Sequence, residues 1–109
     1  MVYNLTLAYK PFHLIKEGKK VVEMRLNTVE RQKIKIGDIL HFSYESNTLD
    51  VRVTNIRHFL TFKELYESYP KEKLGYQKDE ECSYHDMEIY YSLDDITKFG
   101  VIAFEIERI

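Results

Sequence analysis

The stretch GKKVVEMR, residues 18–25, places a helix-ending glycine, two lysines and a charged strand next to one another. Gly18 precedes a strand in which Glu23 and Arg25 are two positions apart, so both side chains project from one face. Lys20 lies at the start of that strand, and its long stem can bring the ammonium group to Glu23. Spacing alone favours a solvent-exposed ion pair, which is worth only about 0–1 kcal/mol. The same three charges could also form a nucleic-acid contact or a catalytic set.

Hydrophobic periodicity along the rest of the chain predicts a mixed order of strands and helices. Strands are expected over residues 2–9, 21–27, 39–44, 49–59 and 101–107, and helices over 11–17, 62–69 and around 84–91, the last region ending at Gly100. Two capping boxes, Thr61 with Glu64 and Ser92 with Asp95, mark helix starts. A break in the alternation at Asn55 indicates a bulge. The order contains no regular βαβ repeat, which favours an α+β fold whose sheet curls into a partly closed barrel.

The length of 109 residues fits one domain, and the formal net charge of -2 gives no overall attraction to nucleic acid. The charge is unevenly distributed, however. Residues 1–40 hold eight lysines and arginines against four acidic residues, whereas residues 41–109 hold eight against fourteen. The stretch at 18–25 lies in the basic part, so an anionic ligand is favoured there.

The sequence indicates a protein of a reducing compartment. Cys82 is the only cysteine, which excludes an intramolecular disulfide. The first residues lack the charged and apolar regions of a secretory signal. No apolar run approaches the ~20 residues that span a bilayer. We therefore expect a soluble cytoplasmic protein with no membrane association.

No metal or cofactor motif is recognisable in the sequence. The four histidines lack zinc-binding spacing, the glycines form no phosphate-binding loop, and no GxSxG elbow occurs. We therefore expect neither a metal nor a cofactor. The carboxylates around Cys82 would raise the pKa of its thiol, which argues against a cysteine nucleophile.

Six tyrosines fall within residues 66–91. Exposed tyrosine rings can stack on bases, but helix tyrosines more often pack on a sheet and keep their hydroxyls in water. We expect such packing for Tyr66, Tyr69 and Tyr90. Tyr91, beside a capping serine, is a candidate ligand contact.

The pattern G-x-K-x-x-E-x-R, formed by Gly18, Lys20, Glu23 and Arg25, resembles the motif of the ASCH domain (activating signal cointegrator homology), a branch of the PUA-like superfamily. Further segments resemble the same family along essentially the whole chain. They are IKIGDILHF at 34–42, TFKELY at 61–66, DMEIYYS at 86–92 and FGVIAFEI at 99–106. The resemblance implies one ASCH domain over residues 1–109, of the small bacterial single-domain type. It also implies a PUA-like curled β-barrel of about five to six strands with short helices at the rim.

The family resemblance further implies an RNA, nucleotide or nucleoside ligand in a cleft beside the motif strand. The predicted ligand-binding residues are Lys20, Glu23, Arg25 and Tyr91. Lys20 and Arg25 would meet a phosphate or a base edge. Glu23 would orient Arg25 or accept a hydrogen bond from an exocyclic amine.

A second hypothesis comes from a small bacterial branch of the family that hydrolyses the amide of acetylated cytidine with a lysine, a threonine and a glutamate. The lysine aligns with Lys20, but Glu23 occupies the threonine position. Asp79, Glu80 and Glu81 all compete for the glutamate position. The alternative function is therefore a small amidohydrolase in which Lys20 and Glu23 transfer protons. A protein-interaction scaffold with an inert cleft is the third hypothesis.

Overall fold

The computed structural model describes residues 1–109 as five strands joined by short helices. The strands are β1 (Val2–Thr6), β2 (Val22–Leu26), β3 (Ile39–Tyr44), β4 (Asn47–Phe59) and β5 (Val101–Arg108). The α-helices are α1 (Tyr9–Lys16), α2 (Val29–Gln32), α3 (Phe62–Glu67) and α4 (Leu93–Phe99), and 3₁₀ helices cover Lys71–Leu74 and Tyr84–Ile89. Every predicted strand is therefore present within a few residues of its expected limits.

All five strands belong to one sheet with the order β1-β3-β4-β5-β2. β1 runs parallel to β3, and every other neighbouring pair is antiparallel. A register shift between Val53 and Asn55 confirms the predicted bulge in β4. The sheet curls into a half-barrel, which confirms the predicted α+β class and partly closed barrel. Because β1 and β2 are the free edges, the barrel stays open between them.

Strand β5, which lies between β4 and β2, is buried on both faces of the sheet. Ile102 and Phe104 belong to one core, whereas Val101 and Ala103 belong to a second core on the other face. Phe62 of α3 is part of that second core. This two-sided burial explains why β5 has a nearly continuous apolar sequence.

At the starts of α3 and α4, the N-cap hydrogen bond of each predicted capping box is present, without the reciprocal side-chain bond. Thr61 Oγ1 accepts a hydrogen bond from the N–H of Glu64 at 3.2 Å, and Ser92 Oγ accepts from the N–H of Asp95 at 3.1 Å. Each bond satisfies one of the N–H groups that a helix start leaves unpaired. α4 ends at Gly100, as predicted, in a backbone conformation with φ 70° that favours glycine.

Three predicted boundaries are wrong for local reasons. β1 stops at Thr6, and Tyr9 begins α1 instead of ending the strand. Pro11 lies within the first turn of α1, where the helix does not need its N–H, so the helix can begin before it. α3 ends at Glu67, ahead of Pro70, which disfavours helical backbone in the residue before it.

Candidate functional site

A cleft of about 410 Å³, which we call the seam cleft, lies where the sheet is open between β1 and β2. Thr6 at the end of β1 and Met24 in β2 both line it, and residues 74–91 supply much of the remaining wall. The volume falls within the ~300–1,000 Å³ range of small-molecule sites. The fold thus leaves a ligand-sized space at the seam of the half-barrel.

Three charged residues form a connected network in the seam cleft. Lys20 Nζ lies 3.7 Å from Glu23 Oε1, and Arg25 Nε donates to Glu23 Oε2 at 2.9 Å. Lys20 Nζ also donates to the carbonyl oxygen of Leu74 at 3.3 Å. Arg25 Nη2 donates to the carbonyl oxygen of Thr6 at 2.8 Å. The central carboxylate therefore contacts one cation through each of its oxygens.

This network is buried, so the interpretation as a solvent-exposed ion pair is wrong. Lys20 is 6% exposed and Glu23 is 4% exposed. Lys20, ahead of β2, is covered because the chain after α3 folds back and brings Leu74 onto it. Burial lowers the pKa of Lys20, and the Glu23 carboxylate opposes this effect by favouring the ammonium form. Lys20 therefore loses its proton more readily than an exposed lysine does.

Tyr90 and Tyr91 also line the seam cleft, in different environments. The Tyr91 ring stacks on Phe62, with centroids 5.9 Å apart and planes inclined by 12°. Burial raises the pKa of Tyr91, so its hydroxyl stays protonated and can donate. Tyr90 is 55% exposed and its neighbour Ile89 is 79% exposed. The predicted packing of Tyr90 on the sheet is therefore wrong, and its ring remains accessible at the cleft.

A hydrogen-bonded chain of side chains forms another wall of the seam cleft. Tyr76 donates to Asp86 Oδ2 at 2.7 Å, and the hydroxyls of Tyr66 and Tyr76 are 2.9 Å apart. Burial raises the pKa of Tyr66 to about 12, and burial together with these hydrogen bonds also raises the pKa of Tyr76. Outside the cleft, Tyr69 donates to Glu105 at 2.8 Å. The expectation that Tyr66 and Tyr69 keep their hydroxyls in water is therefore wrong.

Of the three acidic residues at 79–81, only Glu80 lines the seam cleft. Its Oε2 lies 2.9 Å from Lys10 Nζ, and its Oε1 accepts from the N–H of Gln77 at 2.9 Å. The hydrogen bond from Gln77, and then the Lys10 ammonium, lower the pKa of Glu80. Both oxygens are engaged, so Glu80 ties its loop to α1 and does not present a free base.

The charges that line the seam cleft are balanced in number. The three cationic and three anionic side chains are Lys10, Lys20 and Arg25, and Glu23, Glu80 and Asp86. Neither a histidine nor a cysteine lines the cleft. No group of three or more histidine, cysteine, aspartate or glutamate side chains in the chain is arranged to hold a metal ion. No helix is long and apolar enough to cross a membrane.

The four residues that the sequence singled out, Lys20, Glu23, Arg25 and Tyr91, all line this one cleft. Other lining residues were not selected from the sequence. They include Met24, Tyr76, Asp86, Ile89 and Tyr90. Asp86, Ile89 and Tyr90 lie in the DMEIYYS segment, whose resemblance to the family could have drawn attention to them. Met24 carried no such signal because it occupies the apolar face of its strand.

A five-stranded half-barrel with a charged cleft at its open seam defines a class of small α+β domains with a ligand-sized site. Within that class, the chain belongs to the ASCH domain family, whose model matches residues 5–109.

Two solved structures share the fold over the whole chain. The crystal structure of hypothetical protein PH0355 is 34% identical, with a TM-score of 0.86 and 100% of both chains covered. The solution NMR structure of protein PF0455 from Pyrococcus furiosus is 31% identical, with a TM-score of 0.76, and the match covers 100% of this chain and 98% of that one. No curated protein matches this sequence.

Proposed function

We propose that the protein binds a nucleoside, or an unpaired nucleotide of single-stranded RNA, in the seam cleft. The observation that carries this proposal is the buried network of Lys20, Glu23 and Arg25 at the cleft. Replacing a buried ion network by apolar residues is often neutral or stabilising, so fold stability gives little reason to keep one. Buried charges beside a ligand-sized space are instead typical of a binding or catalytic site.

The network retains hydrogen-bonding capacity for a ligand. Arg25 uses Nε and Nη2 within the protein, which leaves Nη1 to donate to a phosphate or a base. The Lys20 ammonium has three N–H donors, and only Leu74 and Glu23 face it. Charge-assisted donors of this kind bind anionic and carbonyl oxygens strongly.

The exposed ring of Tyr90 supplies a stacking surface at the same cleft. Unpaired RNA bases stack on tyrosine rings with little dependence on sequence. The ASCH family is associated with nucleic acid binding, which agrees with a base as the stacked group.

Charge balance favours a short ligand over a long RNA. The cleft has as many anionic as cationic side chains, and the whole chain has a formal charge of -2. Sequence-independent affinity for long nucleic acids comes from many phosphate contacts to lysine and arginine. A ligand of one or a few nucleotides fits this charge distribution better.

Isothermal titration calorimetry with the four ribonucleosides and with short single-stranded RNA tests the proposal. We expect Lys20→Ala and Arg25→Ala to weaken binding by roughly tenfold or more, because each removes a charged donor from the cleft. Lys19→Ala is the matched control for the lysine, since Lys19 is exposed and pairs with Glu17 outside the cleft.

Arg52→Ala is the corresponding control for the arginine, since Arg52 donates to Gly37 in another part of the sheet. Both controls should bind as wild type does. Affinity for RNA should change little with salt, because few phosphates are contacted. The proposal is contradicted if no ligand binds, or if Lys20→Ala and Arg25→Ala bind as tightly as the controls.

The lowered pKa of Lys20 favours a second function, hydrolysis of an acylated nucleoside such as acetylcytidine. A lysine that loses its proton more readily can act as a general base, and Glu23 would stabilise its protonated form. Incubation of the protein with acetylcytidine should then release cytidine, and Lys20→Ala should abolish the release. Activity that persists in the Lys20→Ala, Glu23→Gln double variant would remove both residues from the mechanism.

A further inference from the structure

The free edge of β2 directs main-chain groups away from the rest of the sheet. The carbonyl of Val21 accepts from the N–H of Ile106, and the N–H of Asn27 donates to the carbonyl of Gly100. From the carbonyl of Val21 to the N–H of Asn27, the odd-numbered residues therefore direct their main-chain groups toward β5, and the even-numbered residues direct theirs to the opposite side. The N–H of Val21 lies ahead of β2 and does not follow this alternation. The even-numbered residues are Val22, Met24 and Leu26. Because β2 ends the sheet, no strand lies on that side.

Met24 is the one of these three residues that lines the seam cleft, and it is only 5% exposed. The edge is already engaged on either side of it. The N–H of Val21 donates to the carbonyl of Lys73, and the side chain of Arg25 crosses to Thr6. Buried main-chain N–H and C=O groups nearly always have a hydrogen-bond partner in native proteins. The cleft is the side from which a partner for Met24 can come.

We infer that the main chain of Met24 recognises the Watson–Crick edge of an unpaired nucleobase. This inference rests on the proposed function and specifies which part of the ligand meets the strand. The N–H and C=O of one extended residue point in the same direction, so they present a donor beside an acceptor. Every RNA base carries the complementary pair on its Watson–Crick edge, for example N3 and the amino group of cytosine, or O4 and N3–H of uracil.

The edge geometry favours a base over a peptide strand as the occupant. A pairing strand needs a run of accessible edge residues, whereas Lys73 occupies the N–H of Val21 on one side of Met24 and the side chain of Arg25 crosses the seam to Thr6 on the other. A base needs only the donor and the acceptor of one residue. Because a duplex engages the Watson–Crick edge of each base, the site accepts unpaired bases only.

Calorimetry with methylated nucleosides tests the inference from the side of the ligand. The edge is blocked in 3-methyluridine, N4,N4-dimethylcytidine, N6,N6-dimethyladenosine and 1-methylguanosine. It stays free in 5-methyl pyrimidine nucleosides and 2′-O-methyl purine nucleosides, which serve as matched controls. We expect each edge-blocked nucleoside to bind at least roughly tenfold more weakly than its control, because the main-chain groups lose their partner.

The two proposals fail in different ways in this experiment. Equal affinity within every blocked and control pair overturns the inference and leaves the proposed function standing. Absence of binding by all nucleosides, methylated or not, overturns the proposed function and the inference with it.

Proline at position 24 tests the inference from the side of the protein. Met24→Pro removes the N–H without breaking a bond of the sheet, since that N–H faces away from β5, and proline is tolerated on an edge strand. Met24→Ala truncates the same side chain but keeps the N–H. We expect Met24→Pro to bind roughly tenfold more weakly than Met24→Ala.

The matched control is Leu26→Pro compared with Leu26→Ala, on the same edge but outside the cleft, and these two should bind equally. Equal affinity of Met24→Pro and Met24→Ala overturns the inference. If Met24→Pro does not fold, the affinities of the methylated nucleosides test the inference on their own.

Discussion

Arg25 connects β2 to Thr6 of β1, although these strands lie at opposite ends of the sheet order. Its Nη2 donates to the carbonyl oxygen of Thr6 at 2.8 Å, while its Nε donates to Glu23 at 2.9 Å. A side chain, and not a ladder of main-chain hydrogen bonds, therefore bridges the open seam. The rigid fork of the guanidinium makes both bonds possible from one residue.

The first prediction concerns Arg25→Lys. The single ammonium of lysine keeps the charge near Glu23 but cannot also reach Thr6 in the same geometry. We expect the free energy of unfolding, measured with urea, to fall by about 0.5–1.5 kcal/mol, because the hydrogen bond to the exposed Thr6 carbonyl is lost. Arg52→Lys is the control, and its effect should stay within about 0.5 kcal/mol since Arg52 is an exposed residue. Equal effects of the two substitutions would show that the bridge to Thr6 does not stabilise the seam.

The second prediction separates the members of the buried network. Glu23→Gln removes the only carboxylate between Lys20 and Arg25, so it should lower the free energy of unfolding by about 3–5 kcal/mol. Lys20→Met should cost much less, because Arg25 remains 2.9 Å from Glu23 and an apolar side chain suits the buried position. Glu23→Gln should also be less harmful in the Lys20→Met background, since one buried cation has gone. If the losses from Glu23→Gln and Lys20→Met simply add in the double variant, Lys20 and Glu23 do not interact energetically.

Local sequence signals predicted most of the fold, whereas the burial of the site depends on distant contacts. The caps of Thr61 and Ser92 and the limits of β3 follow from neighbouring residues, and the structure reproduces them. Lys20, in contrast, is covered by Leu74, which lies 54 positions away in a segment without clear periodicity. No pattern within residues 18–25 could show that the charged face would be closed off from water.

The same reasoning applies to the tyrosines and to the strand edge. The hydroxyl of Tyr76 finds Asp86 only because irregular chain between them turns back on itself. The role inferred for Met24 depends on β2 being an edge strand, which is a property of the strand order and not of the strand sequence. Periodicity identified the elements, but it did not give their order in the sheet.

The third prediction concerns the close approach of Gly75 to Lys20. A Cβ atom added at Gly75 would lie 3.2 Å from Lys20 Cδ and 3.3 Å from Leu14 Cδ1, and its φ of 103° favours glycine. Gly75→Ala should therefore lower the free energy of unfolding and displace Lys20 within the cleft. Gly18→Ala is the matched control, since φ is also positive, at 76°, but nothing lies within 4 Å. Both substitutions should cost about 1–2 kcal/mol in backbone strain, and only Gly75→Ala should also weaken nucleoside binding.

The fourth prediction separates binding from stability at adjacent tyrosines. Tyr90→Ala should weaken nucleoside binding with little change in the melting temperature, because the ring is 55% exposed at the cleft. Tyr91→Ala should lower the melting temperature clearly, because it removes a ring that stacks on Phe62 in the second core. Calorimetric titration and thermal unfolding of both variants make the comparison. Unchanged affinity in Tyr90→Ala would exclude Tyr90 as the stacking surface.

The last prediction concerns stability at alkaline pH. The pKa values of Tyr66 and Tyr69 are raised to about 12 in the folded protein, mainly by burial. In the unfolded chain these hydroxyls ionise near pH ~10. Between these values the folded state binds more protons than the unfolded state, so stability falls as the pH rises. Below pH ~10 both states keep these protons, so the two tyrosines contribute their full share to the stability of the folded protein.

Urea unfolding from about pH 9 to about pH 12 measures how the free energy of unfolding changes with pH. This range covers the interval between the unfolded and folded pKa values of the two tyrosines. Tyr66→Phe and Tyr69→Phe should each flatten this pH dependence, because each removes one group that ionises in the unfolded state alone. Wild-type protein under the same conditions is the reference. A slope as steep as that of wild type in both variants would mean that Tyr66 and Tyr69 do not cause the loss of stability.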